Sequence, residues 1–393
     1  MKRGCVIGYD INEKGCQISY YDDSMEEPDT MMASSNNYLI PLVLGYFKDR
    51  WVFGKEAKRL AVVGEDCTET DLYGKAKRRE KVSLAGKTYD AVWLLAKYIS
   101  LTLQDFENIQ YLTFTTPETD VDMAKMLKGI GQHIGVDKEI INVQDYKESF
   151  CQYMIFQPKE LWQYESALFY CDEDRIKAYM LRRLRVDASH GMNSFVTVDE
   201  VANAQRKELE ALYPIMNKEK SPDESFKSMI ENVFEKKVIS SVYLTGEGFE
   251  KNWYPNSLRV LCNGRRAFMG NNLYSKGACY KSIRKCEPND DGPIYLDETK
   301  LTERICLRMR VDGQEGWYPL VTWGTHWYEA DGQWEVLLED ASDIEILVES
   351  LVDEEVQVEK VSLEGLPKRT DYSLRLQVEA MFLDERTRKL TFR

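Results

Sequence analysis

The segment IPLVLGYFKDRWVFGKEAKRL, residues 40–60, contains a predicted hairpin followed directly by a predicted helix. Two β-prone runs flank the charged turn Lys48-Asp49-Arg50, a pattern typical of a β-hairpin. Gly54 then separates the second run from KEAKRL, which begins a short helix. The assignment of the first domain starts from this hairpin and helix.

Strands and helices alternate on both sides of this segment. Upstream, residues 4–22 predict a strand, a turn over Asp10–Gly15 and a second strand. Downstream, the apolar periodicity predicts a helix over 88–106 capped by Thr88, a strand at 111–116, a helix from about Val121 to Ile134, a short strand at 141–143 and a helix from Tyr146 to Phe156. This alternation is typical of an α/β domain.

The segment LFYCDEDRIKAYML, residues 168–181, predicts another hairpin with an unusual turn. Its charged tip, Asp172-Glu173-Asp174-Arg175, lacks the glycine or asparagine that tight turns prefer. The simplest interpretation is a solvated turn whose charges protect the hairpin from pairing with other chains. The alternative is a Mg²⁺ or Ca²⁺ site in which Asp172 and Asp174 join Asp10.

The region after this hairpin is predicted to be mainly helical. Thr197-Val198-Asp199-Glu200 has the pattern of a capping box before a helix that reaches about Leu212, and Ser221–Glu224 repeats the pattern. Three further elements follow: a strand with a glycine turn at 240–249, a strand at 259–262, and a helix over 272–285 whose Gly277-Ala278 pair permits close packing. These elements complete a domain that is predicted to end at residue 288.

Residues 294–393 predict a separate β-domain. Pro288-Asn289-Asp290-Asp291-Gly292-Pro293 is typical of a linker, so the two domains are predicted at 1–288 and 294–393. Alternating apolar residues and turn signals predict about seven short strands and no helix. Trp317, Trp323 and Trp327 belong to an aromatic run that we interpret as sandwich core; a partly exposed binding patch is the alternative.

Charge and composition argue against several classes of partner. The net charge of −14 argues against nucleic acid, which requires a basic surface. Nine cysteines without a CxxC pair and only three histidines argue against structural zinc and a disulfide framework, and predict a reducing cytoplasm. The start of the chain lacks a signal-peptide pattern, and no apolar run reaches the roughly 18 residues of a membrane span.

The order of elements resembles the actin-like ATPase superfamily, which includes DnaK-type heat-shock chaperones, bacterial actins and sugar kinases. Four residues match the chaperone pattern of a proline, a hairpin and a Gly-x-x-Ala-Lys helix: Pro41, Gly54, Ala57 and Lys58. Residues 111–145 also resemble the chaperones in spacing. The resemblance covers roughly residues 4–285 and implies an α/β actin-like fold with two ribonuclease-H-like lobes, followed by a β-sandwich-like domain.

The resemblance implies positions for a nucleotide, but several of its motifs are altered. The residues that would bind Mg-ATP are Asp10, Asn12, Lys14, Gly246 and Gly248, and Asp145 aligns with the acid of the connecting motif. Glu13 replaces a phosphate-binding hydroxyl, Tyr170 replaces a catalytic aspartate, and Asp172–Asp174 replace three glycines. Glycine allows backbone N–H groups to approach phosphate, whereas carboxylates repel it. A degenerate nucleotide site without a bound cofactor is therefore expected.

The leading hypothesis is a cytoplasmic, non-catalytic relative of the chaperone ATPases that binds a protein or peptide partner through its β-domain. This role of the β-domain rests on domain order alone. The alternative hypothesis is an active chaperone-like ATPase that uses Mg-ATP, with Asp10 and Asp145 as catalytic candidates. A third is a filament-forming relative of the bacterial actins.

Overall fold

A computed structural model describes residues 4–34, 37–63, 67–184, 194–205, 221–286, 292–338, 343–351, 356–365, 374–385 and 387–393. The chain divides into two compact units: unit one is Met1–Arg182 with Val198–Asp290, and unit two is Arg183–Thr197 with Asp291–Arg393. The second unit therefore includes a segment, 183–197, that the predicted division placed in the first domain. Most of the predicted linker, 287–291, lies outside the described residues.

The first half of unit one contains a sheet built around a central hairpin. Its elements are β1 (Cys5–Ile11), β2 (Gly15–Tyr21), β3 (Asp29–Thr30), β4 (Ile40–Pro41), β5 (Leu44–Phe47), β6 (Arg50–Phe53), α1 (Gly54–Val63), β7 (Thr68–Glu69), α2 (Leu72–Lys77), β8 (Lys81–Leu84), β9 (Lys87–Asp90), α3 (Ala91–Thr102), β10 (Ile109–Thr116), α4 (Val121–His133), β11 (Ile141–Asp145) and α5 (Tyr146–Ile155). The sheet order is β11-β10-β1-β2-β3. β1 is antiparallel to β2 and parallel to β10, and β10 is parallel to β11.

The second half of unit one repeats this arrangement. Its elements are β12 (Glu165–Cys171), β13 (Arg175–Leu184), β14 (Phe195–Gln205), α6 (Pro222–Phe234), β15 (Ile239–Thr245), α7 (Pro255–Leu261), β16 (Arg266–Met269) and α8 (Leu273–Cys286). The order is β16-β15-β12-β13-β14. β12 is antiparallel to β13 and parallel to β15, and β15 is parallel to β16. The two sheets therefore share one strand order. In each, the first strand of an antiparallel hairpin also pairs with a parallel strand, which in turn pairs with another parallel strand.

Several predicted elements are confirmed. β5 and β6 form the hairpin of the opening segment, which turns at Lys48 and Asp49, and α1 follows it directly. β12 and β13 form the second predicted hairpin. Ser221 caps α6 through the predicted capping box. The helix predicted over 88–106 is shorter at both ends, and its N-cap is Asp90 instead of Thr88 because the Asp90 carboxylate accepts the N–H groups at 92 and 93.

Two predicted elements are wrong. Residues 197–205 belong to strand β14, not to a helix, and residues 206–212 of that predicted helix lie outside the described part. Asp199 and Glu200, the acids of the supposed capping box, instead pair with Arg182 and Lys177 on β13. The predicted strand at 259–262 lies in and just after helix α7.

Helix α7 forms because an acid distant in sequence caps it. Pro255 occupies its first turn, where a proline is tolerated. The Asp223 carboxylate accepts the N–H groups of Asn256 and Ser257, each at 2.8 Å. Burial raises the pKa of Asp223, but the hydrogen bonds from Ser257 and Asn256 outweigh burial and lower it overall. The local sequence does not reveal this partner.

Helix α8 packs tightly against α5 and the first sheet, as the Gly277-Ala278 pair predicted. A Cβ at Gly277 would lie 1.9 Å from the carbonyl oxygen of Ser149 on α5. A Cβ at Gly8 on β1 would lie 2.1 Å from the carbonyl oxygen of Ser275. Beside this contact, Lys281 donates to the buried Glu148 carboxylate at 2.9 Å. Glycine is needed on both sides of α8 because backbone approaches backbone there.

Unit two consists of two small sheets that contribute to one apolar cluster. Its strands are β17 (Ile294–Tyr295), β18 (Glu303–Val311), β19 (Gln314–Val321), β20 (Gly332–Leu338), β21 (Asp343–Ser350), β22 (Val356–Ser362), β23 (Leu374–Phe382) and β24 (Arg388–Phe392). The sheets have the orders β19-β18-β21-β22 and β20-β23-β24, and β17 pairs with the start of β14. Residues from both sheets, such as Ile346 and Val378, lie in the shared cluster. Across the described residues of the whole chain, no helix is long and apolar enough to cross a bilayer.

The three tryptophans of the aromatic run differ in their surroundings. Trp323 is buried and packs edge-on against Phe195, with ring centroids 5.9 Å apart. Trp327 is partly buried against the shared cluster, whereas Trp317 on β19 is 38% exposed. The core interpretation therefore holds for Trp323, whereas Trp317 has only the exposure that a binding patch requires, and that alternative stays a prediction.

Fluorescence quenching should separate these tryptophans. Trp317→Phe should remove part of the iodide-quenchable emission, because iodide reaches exposed indoles and Trp317 and Trp93 are each 38% exposed. Trp323→Phe should leave the quenchable fraction nearly unchanged. Equal loss in both variants would contradict the difference in exposure.

Candidate functional site

Three turns of unit one converge, and each carries residues that the resemblance aligned with a nucleotide-binding motif. They are the β1–β2 turn, the β12–β13 turn, and the loop that follows β15. Lys14 of the first turn forms an ion pair with Glu247 of the third. Gly248 of the third turn lies directly against the Cys171 side chain at the start of the second. The structure therefore brings together residues that are more than 200 positions apart in the sequence.

Asp10, at the end of β1, is buried and partly neutralised. Its carboxylate accepts a hydrogen bond from the Tyr146 hydroxyl at 2.7 Å, and its side chain lies away from solvent. Burial raises the pKa of Asp10 to about 7, against the smaller lowering effect of the Tyr146 hydrogen bond. Near neutral pH a large fraction of Asp10 is therefore uncharged.

Aromatic rings occupy the space beside Asp10. Tyr146 stacks on Tyr274, with ring centroids 3.7 Å apart and an interplanar angle of 7°. The ring centroid of Tyr170 lies 6.4 Å from that of Tyr274. Burial raises the pKa of all three hydroxyls. The buried Tyr274 hydroxyl has no hydrogen-bond partner among the described residues. These tyrosines form a packed layer between the end of β1 and the β12–β13 hairpin.

Asn12 and Lys14 hold the β1–β2 turn closed. The Asn12 side-chain oxygen accepts the N–H groups of Lys14 and Gly15 at 2.9 and 3.3 Å, and its amide donates to Tyr146 at 2.9 Å. Partial burial lowers the pKa of Lys14, but Glu247, with Glu173 and Asp172 nearby, outweighs burial and raises it overall. Lys14 therefore already has anionic partners within the chain.

The acidic β12–β13 turn is a structural turn. The Asp172 carboxylate accepts the N–H groups of Asp174 and Arg175, each at 2.8 Å. A side chain that bonds the backbone two residues on replaces the glycine that such a turn otherwise needs. This geometry supports the solvated-turn interpretation. Among the described residues, no group of three or more His, Cys, Asp or Glu side chains could hold a metal ion, and this includes Asp10, Asp172 and Asp174.

The remaining candidates also have local structural roles. Asp145 caps α5 by accepting the N–H group of Glu148 at 2.8 Å. Gly246 has a φ of 99°, and a Cβ there would lie 2.2 Å from the carbonyl oxygen of Cys171. A Cβ at Gly248 would lie 2.3 Å from the Cys171 sulfur and 2.9 Å from the carbonyl oxygen of Asp172. These glycines are required because the loop packs on the β12–β13 turn, whether or not a ligand is present.

Comparison with known families covers nearly all of the chain. Residues 27–298 match a model described as a family of unknown function (DUF5716), C-terminal. The chain belongs to the DUF5716 C-terminal family. Residues 300–393 match a second model, a domain of unknown function (DUF8552). No curated protein matches the chain.

In this DUF5716 protein, the residues that fill the site were not predicted from the sequence. Tyr146 was predicted only as the first residue of a helix, and Tyr274 lay in the helix predicted over 272–285 without an assigned role. Tyr274 precedes the small residues Gly277 and Ala278 on α8, so its contact with Tyr146 depends on the close approach of α8 to α5. No local sequence pattern gives this contact, because it joins helices that are over a hundred residues apart.

Proposed function

We propose that unit one is an actin-like ATPase fold with a closed nucleotide site, and that the chain is a cytoplasmic, non-catalytic binding module. The observation that carries the proposal is the packing at Asp10. A buried carboxyl with a pKa of about 7 lies under stacked tyrosines, and an ion pair between Lys14 and Glu247 joins the turns above it. The nine cysteines of the sequence include no CxxC pair, which supports a reducing compartment.

The repeated sheet order supports the fold part of the proposal. Both halves of unit one contain a hairpin that is flanked by parallel strands in the same order. Two lobes of one α/β type are what the resemblance to the actin-like ATPases implies. The candidate residues also lie at strand ends and turns, where α/β folds place their ligand sites.

Repulsion between the carboxylates of these turns and the phosphates of a nucleotide supports the non-catalytic part of the proposal. Each carboxylate about 4 Å from a phosphate charge costs about 4 kcal/mol at an effective dielectric of about 20. Micromolar binding is worth only about 8 kcal/mol. Asp172, Glu173 and Glu247 all lie near Lys14, and together they oppose a polyphosphate. Phosphoryl transfer also needs a positioned metal, and Tyr170 supplies no carboxylate for it.

If the chain is a binding module, unit two is the part that binds a protein or peptide partner. Trp317 and Tyr318 are exposed on opposite faces of strand β19, which is an edge of its sheet. Exposed aromatic residues are common at protein interfaces. This assignment relies on the exposed side chains and on the order of the two units.

Calorimetry with Mg-ATP tests the proposal. The wild-type chain should give no binding heat, and neither Asp10→Ala nor the exposed-turn control Asp174→Ala should change that result. Micromolar binding by the wild type that is lost in Asp10→Ala and kept in Asp174→Ala would overturn the proposal. The active ATPase would then become the better hypothesis.

A further inference from the structure

Strand β22 is an open edge of unit two. It is the last strand in the order β19-β18-β21-β22, and in the described part of the chain no strand pairs with its outer side. Val356 and Val358 on this strand are 55% and 56% exposed. An exposed edge strand with apolar side chains is a template for pairing with another strand.

An apolar row crosses the sheet and ends at this edge. Pro319 lies opposite Cys306, Cys306 opposite Leu347, and Leu347 opposite Val358. Directly opposite residues lie on the same face of a sheet, so these four side chains form a continuous line. Ion pairs border one side of it: Arg308 donates to Glu345 at 2.6 Å, and Lys360 lies 3.8 Å from the same carboxylate. The row stops at Val358 only because the sheet stops there.

We infer that the partner at this edge is a second copy of the chain, paired antiparallel about a two-fold axis at Val358. This register places Val358 opposite the partner's Val358 and joins the two apolar rows. It also places Gln357 opposite the partner's Glu359, a neutral side chain opposite a charged one. Val356 then lies against the aliphatic stem of the partner's Lys360. Each of these pairs is compatible in charge and polarity.

Other registers bring like charges together or pair fewer residues. A two-fold axis perpendicular to the sheet keeps the same sheet face on the same side in both copies. Because directly opposite residues must share a face, the residue at the axis lies opposite its own copy. Centring at Glu359 places two carboxylates opposite each other, and centring at Lys360 places two ammonium groups there. Centring at Gln357 pairs only residues 356–358 within the strand. Val358 is the centre that pairs five residues without a like-charge contact.

The inferred dimer is closed and weak. A two-fold contact uses the same surface on both copies, so assembly stops at two. One strand pair buries less area than a standard interface, which favours concentration-dependent association. This property separates the dimer from the filament hypothesis, and it does not depend on the nucleotide site.

Sedimentation velocity with charge variants tests the inference. The wild type should shift from monomer to dimer as concentration rises and then reach a plateau. Val358→Glu and Val358→Lys should each weaken association by tenfold or more, and an equimolar mixture should restore a dimer because opposite charges meet at the axis. Leu337→Lys is the matched control, since Leu337 is exposed on edge strand β20, and it should still dimerise.

Three results would overturn the inference. They are a monomer at every concentration, association that continues past the dimer, and failure of the mixture to restore association when both variants keep the wild-type circular dichroism.

A short bis-maleimide cross-linker gives a second measurement. In a Cys262→Ser, Cys286→Ser background, which removes both exposed cysteines, Val358→Cys should cross-link into dimers and Leu337→Cys should not. Equal cross-linking at both positions would contradict the register.

Discussion

Gly277→Ala is expected to destabilise unit one severely. The added methyl group would lie 1.9 Å from the carbonyl oxygen and 2.7 Å from the carbonyl carbon of Ser149. Both are backbone atoms of α5, so no side-chain rotation can relieve the clash. Helix α8 would have to move away from α5, which also strains the Lys281–Glu148 pair and the Tyr146–Tyr274 stack. Overpacking at a site that cannot relax costs about 3 kcal/mol or more, a large share of a typical folding free energy.

The measurement is the yield of soluble protein together with thermal unfolding followed by circular dichroism. Gly129→Ala in helix α4 is the matched control, because a Cβ there meets nothing within 4 Å. In an exposed helix this replacement is expected to stabilise by about 0.5–1 kcal/mol. A Gly277→Ala protein that melts within a few degrees of the wild type would show that α8 does not approach α5 so closely.

Asp10→Asn is expected to stabilise the protein at pH 8 and to leave it almost unchanged at pH 4. The folded pKa of Asp10 is about 7 and its ordinary value is 3.8. Between these values the folded state holds a proton that the unfolded state has lost, so wild-type stability falls as pH rises through this window. The loss approaches about 4 kcal/mol above pH 7, at about 1.4 kcal/mol for each pH unit. Asparagine carries no charge, and its side-chain oxygen can still accept the Tyr146 hydroxyl.

Urea unfolding at pH 5 and pH 8 measures this effect as a difference between variants. All other titrating groups remain in both proteins, so their contributions cancel in the comparison. Asp174→Asn, in the exposed turn, is the control and should follow the wild type at both pH values. If Asp10→Asn loses as much stability as the wild type between pH 5 and pH 8, Asp10 is ionised throughout and the closed-site proposal loses its main support.

The elements that the sequence predicted correctly are those with local causes. The turn at Lys48 and Asp49 and the capping box at Ser221 need only neighbouring residues. Helix α7 and strand β14 were mispredicted because their partners are distant. Asp223 caps α7 from over thirty residues away, and the acids at 199 and 200 pair across to β13.

The sequence predicted which residues lie near each other at the candidate site, but not the contacts between them. The resemblance selected Asp10, Lys14 and Gly246, and the structure places them near the same three turns. The sequence could not show that Tyr274 stacks on Tyr146, or that Lys14 pairs with Glu247, because both contacts depend on how the two halves of unit one pack. The acids of the β12–β13 turn became interpretable only when the Asp172 hydrogen bonds were visible.

Strand β14 has a consequence for synthesis on the ribosome. Its first residues, Phe195 and Val196, belong to unit two, and its later residues belong to unit one. Phe195 is fully buried against Trp323 and Leu296, which are translated long after it. At roughly 5–20 residues per second, this aromatic side chain lacks its partners for on the order of ten seconds. During that interval Phe195 lacks the two side chains that bury it in the folded protein, so this stage of synthesis is the one at which aggregation through this strand is expected.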